Sequence, residues 1–399
     1  MSTTLSNVAK AVKASSTLAI SAKAKALKAS GLDIVSFTAG EPDFNTPENI
    51  RKAAIDAINA GKSKYTAAAG MPELRAAVSK KFKEFNGLNY EPDQCVVSNG
   101  GKQTLHNIFT AIINPGDEVI IPVPFWLSYP EIVRLVGGVP VFVQCDKEND
   151  FKLTAEKLRA AVTERTKALV INSPTNPTGA VYTRDELEAI GNVAVEKDFY
   201  VVADEMYEIL NYTGEKCVSI GSISPEIFAH TITSSGVSKS YAMTGWRIGY
   251  SGSSKEIATL ISNIQSHQSS NPCTVSQYAA LEALNGPQDE IYAMAKVFES
   301  RRDLTYGRVS RMPYLDCIEP KGAFYQFVDC SGLIGKKYKD REITSVMDAA
   351  DILLTDFLVA VIPCADFGMA DYIRLSYATS ETEITKGLDR IEKFLGELK

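Results

Sequence analysis

The chain predicts an α/β domain built on a mainly parallel sheet, followed by a smaller α+β domain. Three observations carry that reading. From about residue 94, short β-branched runs alternate with amphipathic helical stretches, the rhythm of strand–helix–strand units. After about residue 285 the composition changes to a long charged helical stretch followed by scattered strand-like runs. At 399 residues the chain is also longer than one hydrophobic core usually supports, so two domains are expected.

Taken in order, the first thirty residues, MSTTLSNVAKAVKASSTLAISAKAKALKAS, contain lysines but no acidic residue and no arginine. Their only apolar run, TLAI, is too short for a signal or membrane segment, and no run of about eighteen apolar residues occurs anywhere. A soluble cytoplasmic protein is expected. The clearest strands are QCVVS, EVIIP, KALVIN, FYVVAD, HTITS and RIGYS. Between them, Thr183 and Glu186 form a T-x-x-E capping box ahead of ELEAIGNVAVEKD, which marks a helix start. In the C-terminal part a charged helical stretch, AKVFESRRDLTYGRVSRM, precedes the runs KGAFYQFVD, VAVIP and YIRLSYA. A last helix, ITKGLDRIEKFLGEL, is announced by Ser380 with Glu383, a second capping box. No internal repeat or low-complexity linker marks the boundary near 285. The division expected is 1–45 for an N-terminal arm and part of the small domain, 46–285 for the large domain, and 286–399 for the small C-terminal domain.

Composition narrows the function. Hydrophobic residues at 45% and charged residues at 23% are ordinary globular values. A net charge of -6 without a block of like charges leaves no electrostatic footprint for nucleic acid or an anionic membrane, which favours small-molecule chemistry. The seven cysteines show neither paired zinc spacing nor a redox dithiol, and the three histidines, His106, His230 and His267, lie far apart. No metal site is expected. Nucleophile elbow, P-loop and dinucleotide fingerprint are all missing from the sequence. The reactive group of an enzyme with this sequence is therefore borrowed or unusual.

Four strand ends collect the residues that carry chemistry. QCVVS runs into NGGKQ and then the apolar-periodic LHNIFTAII, so Gly100 and Gly101 sit where a strand becomes a helix. Glycines there permit close approach, and the helix N-terminus favours an anion, so the turn is a candidate phosphate cradle. KALVIN ends in SPTNPTG, where Asn176 projects at the carboxyl end of a strand and Ser173–Pro174 or Asn176–Pro177 is a candidate cis bond. FYVVAD closes on Asp204, either a helix cap or a placed charge, with Tyr207 shortly after. HTITS delivers SGVSK and hence Lys239, which has no carboxylate near it in sequence. Arg247 follows in the same loop, where a cation beside a partly desolvated lysine pushes its ammonium toward the neutral, nucleophilic form. In YIRLSYA, Ile373, Leu375 and Tyr377 share one face and Arg374 points from the other, a guanidinium suited to holding a carboxylate bidentately.

An amine nucleophile, an acid on a neighbouring strand, an anion cradle with Arg247 and a separate carboxylate clamp fit one cofactor, pyridoxal 5'-phosphate. The segments KASSTLAI, FTAGEPDFNTP, KYTAAAGMPELR, SNGGKQ, PFWLSYPE, NSPTNPTGAVY, DEMYE, SKSYAMTGWRIGY, PKGAFY and IRLSYATSE occur in an order that spans nearly the whole chain. In them the chain resembles the fold-type I pyridoxal-phosphate-dependent aminotransferases of class I and II, within these the bacterial-type aspartate aminotransferases.

The resemblance implies a seven-stranded, mainly parallel sheet in the large domain. It implies that Lys239 bonds the cofactor, Asp204 pairs with the ring nitrogen, Tyr207 and Asn176 bond the ring hydroxyl, and Trp126 stacks on the ring. Arg247, Ser238 and the amides around Gly100, Gly101 and Lys102 would hold the phosphate. Tyr65 would reach the phosphate of a neighbouring subunit, so a homodimer with shared active sites is implied. Arg374 would clamp the substrate α-carboxylate, helped by Asn176 and the backbone at Gly40. Where many members place a serine three residues before the lysine, this chain has Gly236, and either Ser235 or Ser238 is left to make that contact. No arginine lies between Arg247 and Arg301, the region from which the well-known dicarboxylate branch takes its distal-carboxylate ligand. In the bacterial-type branch the resemblance points instead to Lys102, with Ser16 and Thr17 folding over the site.

The activity implied is ping-pong transfer of the amino group of aspartate to 2-oxoglutarate, giving oxaloacetate and glutamate, with amino acids and 2-oxoacids as the small-molecule partners. Prephenate or aromatic specificity is the alternative, and a lyase of the same fold would use the same lysine. A pyridoxal-binding transcription regulator would carry a DNA-binding module ahead of the resemblance, which begins near residue 14 and is read as leaving no room for one. A non-catalytic relative is expected to lack Lys239 or Arg374, and both are present.

Overall fold

Seven strands make the central sheet of the computed structural model, which describes residues 4–13 and 16–399. They are β1 (Cys95–Ser98), β2 (Glu118–Val123), β3 (Val139–Gln144), β4 (Thr166–Asn172), β5 (Tyr200–Asp204), β6 (Thr231–Gly236) and β7 (Gly249–Gly252). Their order across the sheet is β1-β7-β6-β5-β4-β2-β3. Every neighbouring pair is parallel except those made by β7, which runs antiparallel to both β1 and β6.

The apolar runs read as strands because both faces of the sheet are covered. Within β2, Val119 and Ile121 enter one core and Ile120 the other; within β4, Ala168 and Val170 alternate with Leu169 and Ile171 in the same way. That is the period-two alternation of a strand with two dry faces. One face packs on Leu105, Ile108 and Phe109 of helix Gly101–Ile112, the other on Leu187, Ile190 and Val193 of helix Arg184–Lys197.

The six strands expected from the sequence are present, with two adjustments. Arg247 has left the strand read as RIGYS: it sits in the left-handed region, φ 56°, and β7 begins at Gly249. The seventh strand, β3, is the edge of the sheet and exposes much of its length, so VPVFVQ, with its proline, gave a weak signal.

Beyond the large sheet, β8 (Asp316–Cys317), β9 (Tyr325–Asp329), β10 (Ile362–Pro363) and β11 (Tyr372–Ser376) form an antiparallel sheet in the order β10-β11-β9-β8. Helices Asp289–Val309 and Glu381–Gly396 share its core through Phe298, Leu388, Ile391 and Phe394. Val35–Ser36 pairs in parallel with Val359–Ala360, so the N-terminal part of the chain is tied to this C-terminal layer. Helix Val346–Asp356, opened by a capping box between Ser345 and Asp348, has no counterpart in the sequence reading.

Of the two capping boxes read from the sequence, that of Thr183 and Glu186 forms in both directions. At the last helix only the Ser380 half forms: its hydroxyl accepts from the Glu383 N–H at 3.2 Å, while the Glu383 carboxylate reaches toward Lys386. Thr183→Ala removes one cap bond from a helix that covers the sheet and is expected to cost about 1 kcal/mol, read as a lower denaturant midpoint with an unchanged slope.

Candidate active site

Register decides where the chemistry collects. Asn172, Asp204 and Ser234 are direct partners across β4, β5 and β6, so β4 and β5 end level with one another and β6 runs two residues further. A cavity of about 260 Å³ opens beside their carboxyl ends and reaches across to β11. Ligands of open α/β sheets bind at such ends.

Lys239 lies in the loop after β6, and its Nζ donates to the Gly40 carbonyl at 2.5 Å. The amine is pushed down to about 8, above all by burial; the Glu41 charge opposes this, Arg247 and Arg374 reinforce it, and Asp204 opposes it again. The depression expected from Arg247 is therefore present, with desolvation as the larger cause. Asp204, 6% exposed, is pushed up to about 6 by burial. Its Oδ2 accepts from the Tyr129 hydroxyl at 2.7 Å and its Oδ1 from the Met206 N–H at 3.2 Å, both of which favour the carboxylate. Of the two readings of Asp204, a placed charge is the better description: it faces the cavity and ends a strand whose other residues are fully apolar or aromatic.

The glycine turn is built around Arg247. Gly100 has φ 84°, and a Cβ there would collide with the Arg247 guanidinium. A Cβ on Gly101 would strike Met206, and one on Gly249 would strike the Gly100–Gly101 peptide. Three glycines thus let a guanidinium and a helix N-terminus meet at one wall of the cavity. Lys102, on the first turn of that helix, lines the cavity with its Nζ 5.2 Å from the Trp126 ring centre, and partial burial followed by Arg247 lowers its basicity.

On the opposite wall Arg374 is 2% exposed. Its Nη1 donates to Asn176 Oδ1 at 3.0 Å, while Nε and Nη2 have no partner. The guanidinium stands 4.3 Å from the Tyr325 ring centre, and the Tyr325 and Tyr207 hydroxyls are 3.0 Å apart. Two buried N–H groups of one guanidinium without protein acceptors suit an anionic ligand, because leaving such donors unmade is costly.

Lys239, Asp204, Tyr207, Gly101, Lys102, Trp126, Asn176, Ser238, Arg247, Gly40, Thr17 and Arg374 all line this cavity. Gly100 lies directly beneath Arg247. The side chain of Ser16 lies outside the described residues. Tyr65 is 87% exposed and does not line the cavity of its own chain. Of the two serines left open, Ser238 faces the cavity, whereas the Ser235 hydroxyl turns away to Glu208 at 2.8 Å. At Gly236 a Cβ would come within 3.0 Å of Gly249 Cα and the Ile248 carbonyl, a close crossing of β6 and β7. Both proposed cis bonds, Ser173–Pro174 and Asn176–Pro177, are cis, as is Val123–Pro124.

Tyr129, Tyr325, Thr244 and Asn172 were not singled out from the sequence. For Tyr129 a signal existed: it follows Trp126 by three residues in PFWLSYPE. Tyr325 reads as one more core aromatic at the start of a strand, and only the tertiary fold brings it to Tyr207.

The residues fit pyridoxal 5'-phosphate: a basic, glycine-walled anion cradle, a buried carboxylate, an amine of lowered basicity and an unsatisfied guanidinium face one space. Residues 33–391 match the family described as aminotransferase class I and II. The chain belongs to this family.

Members of the family are pyridoxal-phosphate enzymes, and this aminotransferase has full-length relatives among them. It is 49% identical to the aspartate aminotransferase of Bacillus sp. strain YM-2, over 98% of this chain and 99% of that one. It is 47% identical to the probable aspartate/prephenate aminotransferase of Rhizobium leguminosarum bv. phaseoli, over 97% and 98%. The structure of aspartate aminotransferase from Thermus thermophilus with maleate superposes with a TM-score of 0.93 at 44% identity, covering 98% of this chain and 100% of that one.

The Tyr129 bond yields a prediction for this aminotransferase. Because that hydrogen bond favours the charged form of Asp204, Tyr129→Phe raises the carboxyl's titration above about 6 in the cofactor-free protein. Isotope-edited infrared titration of the carboxyl stretch checks this; an unmoved or lowered midpoint would show the bond to be without effect.

Proposed function

We propose that the cavity catalyses ping-pong transfer of an amino group from aspartate to 2-oxoglutarate, in a cytoplasmic homodimer. The observation that carries this reading is the convergence of Lys239, Asp204, Arg247 and Arg374 on one space. When bound, pyridoxal 5'-phosphate supplies an electron sink for the charge left behind as the substrate loses its Cα proton. Lys239 would hold the cofactor through its Nζ, and the same amine would carry the substrate's Cα proton as general base and acid. Asp204, whose charged form is favoured by Tyr129 and the Met206 N–H, would pair with the ring nitrogen and favour its protonated form. Tyr207 and Asn176 would bond the ring hydroxyl, and Trp126 would supply a stacking face. Arg247, Ser238 and the amides of Gly100, Gly101 and Lys102 would hold the phosphate.

Arg374 offers Nε and Nη2 to the α-carboxylate, with Asn176 and the Gly40 backbone beside it. Lys102, with Ser16 and Thr17, takes the distal carboxylate. That side-chain hydroxyl of Thr17 is buried without a partner, which suits a polar ligand. The exposed Tyr65 is assigned to the phosphate of the partner subunit's site, the reason for proposing a dimer with shared active sites. The domain division 1–45, 46–285 and 286–399 belongs to this proposal, with the cavity between the large sheet and β11. Among the described residues no helix is long and apolar enough to cross a membrane. Prephenate is a second acceptor class to consider, because a relative at 47% identity is named for both substrates and prephenate also carries two carboxylates.

Lys239→Ala is expected to abolish transamination and the absorbance of lysine-bound cofactor while circular dichroism stays native; near wild-type turnover would overturn the assignment. For substrate choice the decisive variant is Lys102→Met. A charge-assisted hydrogen bond is worth about 1.5 to 3 kcal/mol, so kcat/KM for aspartate and glutamate should fall roughly 10- to 150-fold. Aromatic donors, which lack the distal carboxylate, should be nearly unaffected. An equal loss for aspartate and phenylalanine would assign Lys102 to the phosphate or the fold.

A further inference from the structure

Residues 40–44, GEPDF, belong to neither sheet, and Gly40 at their start lines the cavity. The chain enters this segment from the C-terminal layer, where the Phe37 N–H donates to the Ala360 carbonyl and the Phe37 carbonyl accepts from the Ser376 N–H, each at 2.9 Å. Its Gly40 carbonyl then meets Lys239 Nζ.

Two side chains fasten the segment. Glu41 Oε2 accepts from Thr244 Oγ1 at 2.7 Å, and the Thr244 carbonyl in turn accepts from Arg247 Nη1 at 2.7 Å. Asp43 takes a bidentate pair from Arg301, with Nη1 at 2.7 Å and Nη2 at 3.0 Å. The Arg301 guanidinium is buried, 5.3 Å from the Phe44 ring centre and 5.5 Å from that of Phe298. The fork geometry and the flanking rings fix the far end of the segment against helix Asp289–Val309. That anchor explains how Glu41, exposed and on an irregular stretch, keeps a defined partner.

We propose that Glu41 is a positioning residue, which through Thr244 holds the Gly40 carbonyl over Lys239 Nζ and sets a carboxylate beside that amine. The inference rests on the reading of Lys239 as the cofactor-bearing lysine. The charged groups that face Lys239 are Asp204 from the end of β5, Arg247 from the loop before β7, Arg374 from β11 and Glu41 from the segment. Glu41 is the only one of these charges carried by a segment outside the sheets and their strand-connecting loops. The link through Thr244 also joins the amine's surroundings to Arg247, the cation of the glycine-walled cradle.

A carboxylate beside an amine favours its protonated form, so removing the charge moves the titration to lower pH. The test is a pH titration of the lysine-bound cofactor absorbance in wild-type, Glu41→Gln, Glu41→Asp and Thr244→Val holoenzymes, with melting temperatures alongside. A second readout is the pH dependence of the rate at which the cofactor-free proteins capture pyridoxal 5'-phosphate. Glu41→Gln should lower both midpoints by about one pH unit at low ionic strength and by less in high salt, with the melting temperature unchanged. Thr244→Val, which keeps the charge but releases it, should give a smaller shift in the same direction, and Glu41→Asp should restore part of the wild-type value. Glu41→Gln midpoints equal to wild type would overturn the proposal while leaving the Lys239 assignment intact. Absence of the lysine-bound absorbance in the wild-type protein would sink that assignment, and this proposal with it.

Discussion

Four cations, Lys102, Lys239, Arg247 and Arg374, line one cavity in which Asp204 is the only carboxylate among the described lining residues. Like charges gathered in a partly buried space repel one another and lose hydration, so the arrangement lasts only because rigid elements impose it. Their hydrogen bonds do little to neutralise them. Lys239 bonds a backbone carbonyl, Arg247 another, and Arg374 the amide oxygen of Asn176. The site therefore presents a surplus of positive charge to whatever enters. A phosphorylated cofactor and a substrate with two carboxylates supply anions at separate points, matching the spread of the cations over the glycine turn, the β6–β7 loop and β11.

The scaffold that imposes this is the sheet edge, and its underside is as polar as its top. Around the end of β5, Asp204 faces the cavity while Glu205 and Glu208 point into a buried cluster with Lys81, Asn86 and Ser219. Asn86 donates to both carboxylates, at 2.9 Å and 2.7 Å, and Glu208 also accepts from Ser235. Burial and the neighbouring Glu208 hold Glu205 well above the usual carboxylate range. The segment DEMYE is thus pinned from below by hydrogen bonds, while its Asp204 and Tyr207 stay directed at the cavity. A satisfied polar network of this kind fixes backbone position more sharply than apolar packing does.

Much of this was legible in the sequence, for reasons that can be named. Strands covered on both faces appear as apolar runs, so β2, β4 and β5 stood out, whereas the half-exposed edge strand β3 did not. Lys239 and Arg374 were visible because each is a charge set among apolar or small residues, and Asp204 because it closes an apolar strand. Tyr129 and Tyr325 were hidden because a buried tyrosine looks the same in sequence whether its hydroxyl serves the core or a carboxylate. The Ser235–Ser238 ambiguity had the same root: only the fold shows that one faces Glu208 and the other the cavity. Glu383 shows the limit of motif reading, since a capping box needs both partners and Lys386 competes for one of them.

The Lys239–Asp204 pair shows what burial accomplishes here. Desolvation disfavours charge on both groups, so the amine falls to about 8 and the carboxyl rises to about 6. Their titrations lie about two pH units apart, rather than the nearly seven that separate the ordinary values. Near neutral pH both still carry charge, but neither is held there by a wide margin, and the groups that tip the balance are few and local. For Asp204 they are the Tyr129 hydroxyl, the Met206 N–H and the charge of Lys239; for Lys239 they are Glu41, Arg247, Arg374 and Asp204. A group that must give up and regain a proton in each turnover works best when its two states are close in free energy at the working pH. Burying the lysine brings that condition within reach, and the surrounding charges, each fixed by a different element of the fold, set where the balance falls.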